Sequence, residues 1–467
     1  MRVSRPLLIT TAAAALLALT GCSAGAPAAP RSASPSPGAS YDATASSTWP
    51  GYHADDARSG AVGGSVRHVA AAWQRDLGAA VYGQPVVADG LVVVGTEADR
   101  VVALDERTGA VRWSASVGRP VTDVQRVAGC GNVDPLGITS TPVIDPAAHR
   151  VYVVGEVLSG GGVQHRLAGF DLRTGHRVLD TRVDPPLPAG EHPAQLLQRA
   201  GLALANGRVY VPYGGNSGDC GSYHGWVVGA RTDGSSSLES FEVASDGEGG
   251  AIWMSGGAPA VTAAGDLLVS TGNANPDPPQ GGPDPKRYTE SAVLLSPDLE
   301  PIASFKDRTA GGDEDLSTGN PVLVPGSLVL TVGKTDTAYL LRASDLHEVA
   351  AIHGVCGSDP DGGPAVDAVT GRVFIPCRDG GIQEVDVAGR RLGPKLDGAN
   401  SAPILVGGTL WAADYGAGTL TGYDATTGRT LQTVRPGALP HFASPSSADD
   451  LLLLGTTTGV RAFRASS

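Results

Sequence analysis

The turn Asp105-Glu106-Arg107-Thr108-Gly109, preceded by Ala103-Leu104 and closed by Trp113, returns as Asp171-Leu172-Arg173-Thr174-Gly175 and again as Asp424-Ala425-Thr426-Thr427-Gly428. A repeated strand-turn-strand unit has an apolar face that it can bury only against its neighbours, so the period dictates the architecture. A second landmark fixes the register. A proline behind small or polar residues opens each unit, at Pro85, Pro142, Pro259, Pro321, Pro364, Pro403 and Pro445. Proline is tolerated at the first residue of a strand, where no ladder hydrogen bond is lost. A Val/Leu-rich stretch follows each one, such as Leu91 to Thr96, Arg150 to Glu156 and Leu451 to Gly455, with the composition of a buried strand.

Between the second and third prolines lies a unit without one, opening at Gln198-Arg199-Ala200-Gly201. Counting it gives eight units, most of them about 40 residues long, the length of a four-stranded propeller blade. The last unit, His441 to Phe463, has no room for a fourth strand, whereas His68 to Leu77 is a spare strand ahead of the first. Joining the two closes a ring and removes the open sheet edge. The expected fold is therefore all-β: an eight-bladed propeller of four-stranded blades, closed by an N-terminal strand. The composition agrees, with 65 glycines, 34 prolines and 5% aromatics suiting short strands and tight turns.

The chain divides into a signal at residues 1–21, a tether at 22–47 and the ring at 48–467. Arg2 and Arg5 flank the apolar Leu7 to Leu19, too short to span a bilayer as a helix, and Leu19-Thr20-Gly21-Cys22 follows. That tetrad resembles the lipobox of bacterial lipoproteins, which implies lipidation at Cys22 and an anchor on the outer face of the cell membrane. Ser23 to Ser47 is Ala, Ser, Pro and Gly with almost no apolar bulk, the composition of a flexible stalk. Cys130, Cys220, Cys356 and Cys377 remain, an even number in an exported chain, so disulfides are expected. Three pairings are possible, and local pairing is the simplest. A net charge of −13 with no cluster of Lys and Arg excludes a nucleic-acid partner.

The stretch Ala103 to Trp113 is similar at each landmark to the A-x-D-x-x-T-G-x-x-x-W turn of the PQQ-like, or quinoprotein alcohol dehydrogenase-like, propeller repeats. Trp49-Pro50-Gly51-Tyr52-His53 with Asp55 to Gly60 resembles the segment that precedes the first blade in such proteins. Gly137 to Pro142, Asp219 to Trp226 and Ile252 to Gly257 resemble an exported subgroup without a defined reaction. The likeness to quinone-dependent dehydrogenases implies pyrroloquinoline quinone (PQQ), a Ca²⁺ held by carboxylate and amide oxygens, an Asp base and two adjacent cysteines. No cysteines are adjacent here, and no C-x-x-C-H haem motif occurs. Trp253 could form an aromatic floor, and Asp313, Glu314, Asp315 and Asn320 could offer oxygens to a hard cation. A further likeness, to the lipoprotein propeller that scaffolds outer-membrane protein assembly, would require a two-membrane envelope.

Hydrolase signatures such as H-E-x-x-H and G-x-S-x-G are absent from the sequence. The turn aspartates Asp105, Asp171 and Asp424 have a structural use, binding backbone amides of their own loop. Residues ahead of each inner strand should face the central channel. Gln84, Thr141, Arg199, Ser255, Asn320, Asp361, Asn400 and His441 thus form a candidate funnel, with His224, Trp253 and Asp315 beside it. Such convergent polar groups suit a ligand or ordered water. Insertions at Ser159 to Gln164 and Asn273 to Arg287 are expected to overhang a face. The expected role is a monomeric, non-catalytic binding or scaffold module for a protein, glycan or small molecule, with no cofactor. The alternative is a PQQ-dependent oxidoreductase of an alcohol or sugar.

Overall fold

The computed structural model describes residues 45–275, 287–309 and 312–466. Cys22, the signal and nearly all of the tether fall outside these, as does most of the Asn273 to Arg287 insertion. Eight sheets, each with four antiparallel strands, are arranged as successive blades; Ala61–Val62 adds a short parallel strand to the seventh and Leu196–Leu197 a short strand to the third. Their innermost strands are Val86–Ala88, Val143–Asp145, Ala203–Ala205, Ala260–Val261, Val322–Val324, Ala365–Asp367, Ile404–Val406 and Ser446–Ala448. In the eighth blade the outer strand is Val69–Asp76, paired antiparallel with Gly459–Ala465, so the N-terminal strand closes the ring.

Alternation along each strand builds the core between blades rather than within them. On Leu91–Thr96, Val92 and Val94 pack with residues of the last two blades, while Val93 points the other way, among those of blade two. A period of two therefore serves two interfaces with one strand, and both faces read as apolar.

The recurring turn is built identically each time. Asp105 Oδ1 accepts from the Thr108 amide and hydroxyl at 2.9 and 2.6 Å, and Gly109, at φ 66°, donates to the Asp105 carbonyl at 2.8 Å. Asp171 and Asp424 repeat the pattern with Thr174 and Gly175, and with Thr427 and Gly428. The Thr108 hydrogen bonds, then Arg112, hold the Asp105 carboxyl down at about 2. Indole rings then fasten turn to neighbour. Trp113 of blade one donates to the Leu172 carbonyl at 2.8 Å and covers Gly175, where a Cβ would lie 2.6 Å from the ring. Trp73 of the closing strand does the same to blade one, through the Glu106 carbonyl at 2.8 Å and Gly109.

The channel is not empty. The segment after the tether winds around it, and its carbonyls accept from one blade after another: Ser46 from Asp449, Trp49 from Val87, Pro50 from Ile144, Asp56 from Val261, Ala57 from Leu323, Ser59 from Val366 and Gly60 from Leu405. Trp49, Tyr52, His53 and Arg58 are buried within it. The Arg58 guanidinium holds the loop's shape by donating to the Pro259, Tyr52 and Asp55 carbonyls at 2.9, 3.2 and 2.9 Å.

The disulfides are Cys130–Cys220, tying the loops of blades one and three, and Cys356–Cys377, tying blades five and six. Both are the local pairings, and they fit an extracytoplasmic protein.

Candidate axial binding site

Two sets of loops meet at one end of the channel. One set lies ahead of the innermost strands and carries Tyr82, Arg199, Trp253, Asp315, His441 and Phe442; the other follows the second strands and carries Asn216, Asn273, Lys334 and Arg378. Together they line a cavity of about 340 Å³.

One wall is aromatic. Trp253, half-buried, leans on Phe442 with ring centroids 5.7 Å apart, and His441 stacks on Phe442 at 3.7 Å. The backbone here is strained, because Met254, Ser255 and Phe442 have φ of 44°, 45° and 63°. Left-handed conformations of non-glycine residues cost about 1–3 kcal/mol each and gather at functional sites. Ser255 is held there by its hydroxyl donating to the Thr318 carbonyl at 2.7 Å.

The rest of the lining is largely polar. Lys334 bridges Asp313 and Asp315, its Nζ 3.0 Å from Asp315, and Asp315 also accepts from the Asn273 amide at 2.9 Å. Burial pushes the Asp315 carboxyl up, against the pull of Lys334. Arg378 bonds Asp359 and, at 3.0 Å, Asp361. Asp361 is fully buried and also accepts from the Tyr415 hydroxyl at 2.5 Å, while His441 Nε2 lies 3.1 Å from that hydroxyl. Burial would raise the Asp361 carboxyl, but hydrogen bonds from His441, Arg378 and Tyr415 together hold it below the usual range.

Of the candidate funnel residues, Arg199, Trp253, Asp315 and His441 line the cavity, and Asp361 supports it through Arg378 and Tyr415. Asn400 sits behind, accepting from the Tyr415 amide at 3.2 Å. Gln84, Thr141, Ser255 and Asn320 are buried and not part of the lining. Gln84 bonds the Trp49 indole, the His53 amide, Ser444 and the Pro445 carbonyl, and its own amide donates to Thr141, so this pair fixes the winding segment. His224 is buried against Glu191 at 2.5 Å, outside the lining. Ser159 to Gln164 forms the tip of a long hairpin, Arg150–Ser159 with Gly162–Asp171.

Lys334, Arg378, Asn216 and Asn273 were not anticipated, although the repeat contains their signal. Each falls one to three residues past the second strand of its blade, as Tyr415 does, so aligning that column would have collected them.

A family model described as outer membrane protein assembly factor BamB matches residues 53–275. Quinohemoprotein alcohol dehydrogenase from Comamonas testosteroni superposes with a TM-score of 0.69 at 16% identity, covering 91% of this chain and 81% of that one. The chain is an eight-bladed propeller whose repeats are similar to PQQ-like ones. A europium-containing methanol dehydrogenase gives a TM-score of 0.66 at 12% identity over 89% of this chain and 90% of its own. BamB from Moraxella catarrhalis gives 0.58 at 12%, over 85% and 100%. No curated protein matches the sequence. At such identities the likeness carries the fold of the PQQ-like propeller and not its chemistry.

Proposed function

We propose that this PQQ-like propeller is a lipid-anchored, extracytoplasmic, non-catalytic module that binds its ligand in the axial cavity. The observation that carries this reading is the pairing of an aromatic wall, Trp253 and Phe442, with a ring of amides and charges in one blind cavity. Concave sites with a few convergent polar groups are where small ligands are held.

The calcium and quinone chemistry of related folds is a poor fit to the residues present. Among the described residues no group of three or more His, Cys, Asp or Glu is placed to hold a metal ion. The Asp315 carboxylate is already neutralised by Lys334, and the cysteines nearest the sites are consumed in disulfides between loops. Ca²⁺ needs six or more oxygens, and two of the cavity's carboxylates, Asp313 and Asp315, are already shared with Lys334.

One observation favours the oxidoreductase alternative: Trp253, an indole of the kind that would floor a planar cofactor, lines the cavity. Titration with PQQ and Ca²⁺, read by tryptophan quenching and by dye reduction with alcohols or sugars, separates the two. Saturable binding with turnover overturns the non-catalytic reading. In a thermal-shift screen of small organic molecules, hits lost in Trp253→Ala support the cavity as the binding site, and hits indifferent to Trp253 count against it.

A further inference from the structure

Three cations line the cavity, and two of them have carboxylate partners. Lys334 is paired with Asp313 and Asp315, and Arg378 with Asp359 and Asp361. Arg199 is different. It is only 5% exposed, it has no carboxylate within 4.0 Å among the described residues, and its guanidinium makes a single hydrogen bond, from Nη2 to the His441 carbonyl at 3.2 Å. Among the described residues its other N–H groups have no acceptor. Tyr82 and Phe442 flank it, with ring centroids 5.7 and 5.4 Å from the guanidinium carbon. Ring faces attract a cation but do not balance its charge.

The nearest acidic influence is Glu97, which is committed elsewhere. Its Oε2 accepts from the Gly137 amide at 2.8 Å and the Thr139 hydroxyl at 3.0 Å, and burial pushes the carboxyl up to about 8, leaving it mostly neutral at neutral pH. A buried charge without a partner is costly and is kept where something else supplies the partner. The open side of Arg199 is the cavity itself.

We infer that Arg199 is the anion receptor of the axial cavity, and that the ligand is a flat organic molecule bearing one carboxylate. This rests on the reading that the cavity is the binding site. The carboxylate takes the free N–H fork of Arg199, which matches it in a bidentate pair. The flat body lies along Trp253, and Asn132, Asn216 and Asn273 meet its polar edge. One carboxylate, rather than a phosphate monoester, follows from charge: a single unpaired guanidinium offsets one negative charge, and the other two cations of the wall are already spoken for.

The test uses the full chain with 2-naphthoate, its neutral amide 2-naphthamide, and inorganic phosphate, by calorimetry and thermal shift. The expectation is that 2-naphthoate binds the wild type about tenfold to a hundredfold more tightly than 2-naphthamide, the range for a hydrogen bond to a charged group. Arg199→Gln removes that advantage and leaves 2-naphthamide within about twofold, well inside the 1.4 kcal/mol of a tenfold change. Trp253→Ala weakens both. Equal binding of acid and amide overturns the role of Arg199 while leaving the cavity as a binding site, and so does phosphate binding as tightly as 2-naphthoate. If neither naphthalene probe binds, the planar-acid proposal falls, and the cavity reading stands or falls on whether thermal-shift hits are lost in Trp253→Ala. A second measurement needs no ligand. In buffer free of organic anions, Arg199→Met should melt no lower than wild type, because an unanswered buried charge has been removed. A clear drop would mean that Arg199 is a strut for the His441 loop, and would refute the proposal.

Discussion

Raising the pH should destabilise this ring well before any surface lysine titrates. At the meeting of blades one and two, Asp99 is fully buried with neither oxygen hydrogen-bonded, and Glu97 has one oxygen likewise unpartnered. Burial first, then the charge of Glu156, pushes the Asp99 carboxyl up to about 8, and burial does the same for Glu97. Buried His165 lies between Asp184, 2.7 Å from Nδ1, and Glu156, 3.6 Å from Nε2. Burial alone would lower it, but Glu156 and Asp184 outweigh that and lift it to about 9.

All three shifts act in one direction. The folded state keeps protons that the unfolded chain has released, so stability is full below the unfolded values and is lost as pH rises toward the folded ones. For the carboxyls that window runs from about pH 4 to 8, and for His165 from about 6.5 to 9. Between about pH 7 and 8 the folded ring holds about two extra protons, a loss of about 3 kcal/mol per pH unit. In a domain of this length that is about 3 °C in Tm per unit. The perturbation is Glu97→Gln with Asp99→Asn, which removes both carboxyl contributions and leaves about 1 kcal/mol per unit from His165. Urea unfolding of the two proteins at a series of pH values, without reductant, measures both slopes. Parallel slopes would refute the assignment of the pH sensitivity to this pair.

Other outcomes follow from the same interactions. Trp113→Ala should cost about 3–5 kcal/mol, since it empties the blade-one to blade-two latch, whereas Trp73→Phe, which keeps a ring and loses the bond to the Glu106 carbonyl, should cost about 1 kcal/mol; denaturant midpoints compare them. Opening Cys356–Cys377, which closes a span of 21 residues, should cost about 3 kcal/mol, and opening Cys130–Cys220, with a span of 90, nearer 5 kcal/mol, so serine variants measured by calorimetry should rank in that order. Cys22→Ala should release the protein to the medium, and membrane retention in fractionated cells would sink the anchor.

The ring was legible in the sequence because its signals are local. The D-x-x-T-G turn fits within one hairpin, the proline column marks each inner strand, and the truncated last unit matches the spare strand around Trp73. Much of the site was not legible, for a physical reason. Arg199 differs from Lys334 and Arg378 only in lacking a partner, and that absence depends on where Tyr82, Glu97 and His441 end up, residues that lie far apart in the chain. Likewise Gln84 reads as a funnel residue from its place before a strand, yet Trp49, His53 and Ser444 claim its amide from three directions.

The winding segment from Ser46 to Gly60 changes how such a ring should come apart. In a simple array of repeats, each unit leans only on its two neighbours, and stability is a sum of local terms. Here one short stretch of backbone holds the inner strands of six blades and, through Asp449, the turn after the inner strand of the eighth, so blades that never touch share a common fastening. Pulling that stretch away would cut every spoke at once. The ring should therefore melt as one unit, with its first-synthesised residues among the last to find their places.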